Sequence, residues 1–145
     1  MLELFDKVWH AEKGAEKLQF EKLHSWVREM GFPACDFPDS YIELLKESNG
    51  GDFTTGEREY QLGSIDEIMQ TYEDYSFARY MPYALPFAMD GCGNFYIINM
   101  RRKDDCIYAV SSGDLEWGMC CKIANNLEEC LTQNTLIDEL LSEKS

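Results

Sequence analysis

Apolar residues recur at helical spacing through the first half of the chain. Leu4, Phe5, Val8 and Trp9 share one helical face before Gly14 interrupts. Phe20, Leu23, Val27 and Met30 line a second stripe, and Gly31 stands where a helix stops. In "FPDSYIELLKESNGG" Pro38 suits a helix start, and Tyr41, Leu44 and Leu45 face inward. Asn49-Gly50 then reads as a left-handed helix end. In "SIDEIMQTY" Ser64 and Glu67 form a capping box, with Ile65, Ile68, Met69 and Tyr72 as the buried face.

The pattern then shortens. "FYIINM" (Phe95 to Met100) and "CIYAV" (Cys106 to Val110) are short, apolar and rich in β-branched and aromatic residues. The polar "RRKDD" between them predicts a hairpin. "LEWGMCCKIA" (Leu115 to Ala124) reads as a further strand, bulged at Gly118. The chain closes on helix: Asn126 caps with Glu129 as partner, and Leu136, Ile137, Leu140 and Leu141 form a last apolar face. The whole predicts a single α+β domain over residues 1–145, with a mostly antiparallel central sheet and N- and C-terminal helices packed against one of its faces.

Composition fits a packed core: 45% of residues are hydrophobic and 13% aromatic. The most apolar run, "MPYALPFAM" (Met81 to Met89), is far shorter than the ~20 residues that span a bilayer. The start, "MLELFDKVW", has acids among its apolar residues and no secretory core. A reducing cytoplasmic setting is therefore expected, in which the six cysteines read as small buried hydrophobes. No C-x-x-C pair occurs, and adjacent Cys120 and Cys121 would point to opposite faces of a strand. Charge adds more. Thirteen Lys+Arg against 27 Asp+Glu leave a net −14, spread along the chain, which repels nucleic acid and anionic membrane and attracts basic partners.

"ALPFAMDGCGNFYIIN" (Ala84 to Asn99) invites a search for ligand chemistry. Gly91 and Gly93 fit the first two positions of a dinucleotide fingerprint, but Tyr96 stands where the third glycine belongs and a strand follows instead of a helix. Asp90 and Asn94 suit a calcium loop, yet Cys92 lies between them and Arg101 occupies the bidentate glutamate's place. What remains is a chain-reversing turn built on Asp90 and the two glycines. His10 and His24, both placed in helical segments, belong to no metal motif, and no local signature pairs a cysteine with either. Glu57, Glu59, Asp66, Glu67, Glu73 and Asp74 could supply a carboxylate pair, but sequence spacing does not place two of them together. No catalytic residue, metal ligand or cofactor is assigned. Arg101-Arg102-Lys103, offset by Asp104-Asp105, reads as a solvated hairpin tip. Interaction chemistry is concentrated in "TYEDYSFARYMPY", where Tyr72, Glu73, Asp74 and Tyr75 are the candidate partner contacts. The competing reading buries most of these rings between helix and sheet.

Two of these motifs together resemble the SUKH superfamily, which includes the yeast cell-wall assembly regulator and many bacterial immunity proteins. "PDSYIELLKESNGGDF" is similar to its P-x-x-Y-x-x-x-L-x-x-x-N-G-G element, carried here by Pro38, Tyr41, Leu45, Asn49, Gly50 and Gly51. After it, in the family's order, come "SIDEI" and the strand–turn–strand whose turn holds Asp90, Gly91, Gly93 and Asn94. Phe37 departs from the leucine usual before the proline. The resemblance covers roughly Phe20 to Leu131 and leaves residues 1–18 as a helical extension outside it. It implies an α+β fold with no catalytic site, these motif residues being structural, and a role exercised by binding. Bacterial members commonly block a cognate toxin, often a nuclease, so the implied partner is a basic toxin domain, met by a monomer or weak homodimer. The alternative is a regulatory scaffold module of the cell-wall regulator type; that branch tends to carry long disordered extensions, and none is present here.

Overall fold

In the computed structural model, which describes residues 1–144, seven strands form one antiparallel sheet in sequence order. They are β1 (Lys7–Ala11), β2 (Gly51–Thr55), β3 (Arg58–Leu62), β4 (Ala84–Met89), β5 (Asn94–Asn99), β6 (Ile107–Ser111) and β7 (Cys121–Ala124). Helices α1 (Lys17–Glu29) and α2 (Asp39–Glu47) lie between β1 and β2, and α3 (Ile65–Asp74) and α4 (Phe77–Tyr80) between β3 and β4. Helices α5 (Leu127–Thr132) and α6 (Ile137–Lys144) follow β7. The α+β class stands as the sequence predicts; Ser145, the end of the predicted domain, lies outside the described residues.

The layering differs from the expectation, because helices cover both sheet faces at its centre. Successive strand residues point to opposite faces, and β5 is buried along its whole length. Phe95 meets Phe77 of α4 at 5.3 Å between ring centroids, whereas neighbouring Tyr96 stacks on Tyr60 at 4.7 Å on the far side. There the Tyr60 hydroxyl donates to the Cys130 carbonyl of α5 at 2.6 Å. A strand buried on both sides can be apolar without alternation, which is how "FYII" reads.

Where the signal is local, the elements form as read. Ser64 Oγ accepts from the Glu67 amide and the Glu67 carboxylate accepts from the Ser64 amide. Asn126 Oδ1 accepts from the Glu129 amide, and Gly31 follows α1 with φ +73°. Four expectations are corrected. Residues 1–18 are not a helical extension: a 3-10 turn at Leu2–Leu4 leads into β1, which places His10 on a strand. The apparent helical face dissolves because Phe5 turns inward, stacked on Phe53 at 4.6 Å with Leu4 partly buried against the core, while Val8 and Trp9 stay exposed. Helix α2 does not end on a left-handed Asn49-Gly50 pair. It stops at Glu47 with Ser48 extended, and Asn49 Oδ1 instead accepts from the Ile65 amide at the start of α3. The predicted strand from Leu115 shrinks to β7, since Trp117–Met119 form a 3-10 turn that includes Gly118. Trp117 fixes that turn by donating its indole N–H to the Pro82 carbonyl at 2.8 Å, under the Arg101 guanidinium. Finally, the cysteines are not uniformly buried: Cys120 and Cys130 are, but Cys35 and Cys92 are exposed.

Strands β2 and β3 carry too few apolar residues to stand out, yet one of their faces is exposed. Phe53, Thr55, Arg58, Tyr60 and Leu62 are buried against the helical side. Asp52, Glu59 and Gln61 alternate with them and are exposed on the opposite face.

Candidate protein-docking surfaces

The Gly-rich bend joins β4 to β5 and is filled by its own side chains. Gly91 and Gly93 carry φ of +78° and +86°, which turns the chain tightly enough for Asp90 to reach back over it. Asp90 Oδ1 accepts from the amides of Cys92 and Asn94 at 2.8 and 3.0 Å. Its Oδ2 accepts from Asn94 Nδ2 at 2.8 Å, which also donates to Asp138 Oδ1 of α6 at 2.7 Å. The other motif residues are equally structural in position: Tyr41 and Leu45 are buried in the core, and Pro38 immediately precedes α2. Gly50 and Gly51 carry φ of +105° and +133° at the entry to β2.

Among the described residues, no group of three or more His, Cys, Asp or Glu is placed to hold a metal ion. His10 Nε2 lies 2.6 Å from Glu12 Oε1, and the His24 ring packs edge-on to Phe37 at 5.4 Å. A nucleophilic cysteine needs its thiol pKa lowered. Here the resolved shifts run the other way: Asp90 raises Cys92, and burial raises Cys106 and pushes Cys130 up to about 11. Among the described residues, no helix is long and apolar enough to cross a membrane.

Two surfaces remain. The first contains three of the four candidate contacts read from the sequence. Glu73, Asp74 and Tyr75 are exposed at the end of α3, but Tyr72 is 2% exposed and cannot touch a partner. Its ring lies in the core, stacked on Phe77 at 5.6 Å, and its hydroxyl accepts from the Tyr83 amide. Ser76, at φ +55°, breaks the helix and begins α4, where Tyr80 is exposed. Tyr75 and Tyr80 line a cleft of about 330 Å³ whose other wall carries Asp114, Leu115 and Glu116. Large rings among carboxylates suit a partner's lysines and arginines.

The second surface escaped the sequence reading. On the uncovered face of β1–β3 lie two clefts of about 350 and 470 Å³ that share Asp52 and Gln61. Glu12 lines the first, which α3 borders on one side through Glu67, Ile68 and Thr71, and Trp9 and Glu59 line the second. The signal available was the alternation of Asp52, Thr54, Glu59 and Gln61 with buried residues, visible only once both strands are recognised.

No curated protein matches this chain. The family model described as SMI1 / KNR4 family (SUKH-1) matches residues 28–133, which takes in α2, the sheet from β2 to β7, and the Asp90 turn. The chain belongs to the SMI1/KNR4 (SUKH-1) family.

Proposed function

We propose that this chain is a non-catalytic immunity protein of the cytoplasm that neutralises a toxin with a basic surface by direct one-to-one binding. Supporting this is the placement of exposed aromatic rings among carboxylates on a chain with net charge −14. A nuclease exposes a cationic groove to hold phosphates, and an acidic protein competes for that groove or docks beside it. Aromatic rings then supply contact area at low entropic cost, while the carboxylates steer and orient the encounter. The Asp90 turn and the Asn49-Gly50-Gly51 segment hold the fold and are not the contact.

Co-expression with the protein encoded beside its gene tests this reading. Rescue of growth together with a one-to-one complex on gel filtration is expected. Continued cell death without a complex would overturn it and leave a regulatory scaffold role in its place.

A further inference from the structure

We infer that the uncovered face of β1–β3 receives a lysine- or arginine-bearing segment of the partner protein, with the Trp9 indole as its cation-binding wall. The inference deepens, and rests on, the reading that the partner is basic.

A backbone irregularity builds the site. Lys7 pairs with Thr54 and Val8 with Phe53, but the register then shifts, and His10, not Trp9, pairs with Asp52. The additional residue is a β-bulge, a device that re-aims side chains. Paired residues share a face, so Lys7 and His10 join Thr54 and Asp52 on the uncovered side. Trp9 is there too, its Nε1 donating to Thr54 Oγ1 at 3.1 Å. A regular strand would have sent Trp9 and His10 to opposite faces. The bulge sets both beside Asp52, and Trp9 remains 62% exposed.

The face already holds a cation. The Lys7 ammonium sits 3.3 Å from the centre of the Trp9 ring. This contact shows the indole in an orientation that accepts a cation, using the chain's own lysine. The residues lining the two clefts include four carboxylates, Glu12, Asp52, Glu59 and Glu67, and among the described residues no lysine or arginine. His10 lies close to Glu12. An incoming lysine or arginine would displace Lys7 or take the other ring face, with Asp52 and Glu59 as counter-charges. Phosphate-bearing polymers are excluded by the same sign of charge. The bulge and Lys7 also discourage strand addition along the β1 edge, so the face and not the edge is the receiving surface.

The test is an NMR titration of the ¹⁵N-labelled full chain with an acetylated peptide of alternating lysine and threonine, at low salt. Expected are shifts across residues 7–11 and 51–62 and movement of the Trp9 indole resonance. Trp9→Ala should weaken binding about tenfold, as loss of a hot-spot ring does, with an unchanged melting temperature. Asp52→Lys should abolish binding. Lys7→Ala should tighten it about threefold, because a competing cation is removed. Shifts confined to residues 73–80 and 112–116, with Trp9→Ala binding normally, would overturn this surface and leave the basic-partner reading standing. No shifts anywhere at low salt would overturn both.

Discussion

Asp90 holds three N–H donors of its own turn, and of the two residues that supply them Cys92 is exposed and finds water in exchange, whereas Asn94 is buried. Removing that acceptor strands the buried Asn94 amide and leaves the Asn94 side-chain nitrogen with Asp138 alone, so Asp90→Ala should cost about 2 kcal/mol. Asp90→Asn, which keeps one acceptor, should cost about half as much; urea denaturation of both reads the difference. Arg58 presents the opposite situation, a cation that is 1% exposed and, among the described residues, has no carboxylate in ion-pair range. It is held by neutral oxygens, chiefly the Thr135 carbonyl at 2.7 Å, and so ties the segment before α6 to β3. At the exposed pair, hydrogen bonding to Glu12 raises the His10 pKa above its ordinary 6.5. A raised folded-state pKa means the pair's contribution is present below about 6.5 and fades as pH rises through the folded value. The imidazole resonance of His10 should therefore titrate above 6.5 in the native chain and return toward it in Glu12→Gln. A midpoint unmoved by that substitution would remove the pair.

At the scale of elements, β1 depends on a glycine outside it. Gly51 has φ +133°, outside the range of L residues, and a Cβ there would stand 2.5 Å from the His10 carbonyl. The strand can approach β2 so closely only because that position is bare. Gly51→Ala should thus cost about 2–3 kcal/mol and loosen β1 selectively. Hydrogen exchange should show residues 7–11 losing protection before β4 and β5 do; uniform loss across the sheet would contradict this dependence. The same strand marks the limit of what the sequence discloses. Capping at Ser64 and Asn126 is settled within four residues, so it was legible. The β5–β6 hairpin was legible because Phe95–Ile98 and Ile107–Val110 form apolar runs. Strand β1 was not, because an edge strand with all residues exposed has no alternation to display, and Leu4, Phe5, Val8 and Trp9 happen to fall at helical spacing. Tyr72 and Tyr75 show the same limit in the candidate surface. Three residues apart on one chain segment, they differ in role because Trp26, Phe32 and Phe77 enclose the first ring while the second contacts Phe95 by one edge. Only the packing of α1 and α4 separates them.

For the molecule as a whole, charge sets two responses to salt that run in opposite directions. Acids outnumber bases by 27 to 13, and the ion pairs formed lie mostly at exposed side chains, where they contribute little. Self-repulsion therefore outweighs pairing in the free chain, and screening it should stabilise the fold. Raising salt from low to about 0.5 M, where the Debye length falls to roughly 4 Å, should add on the order of 1 kcal/mol, or a few degrees in Tm. The proposed complex should respond the other way, because the same screening would remove the steering of a basic partner. Its association rate should fall by about tenfold or more over that range, with the dissociation rate changing far less. Calorimetry of the free chain and stopped-flow association measured in the same buffers would separate the two effects. A Tm that falls with salt would mean the paired charges dominate. An association rate indifferent to salt would leave the exposed rings, without the carboxylates around them, as the basis of recognition.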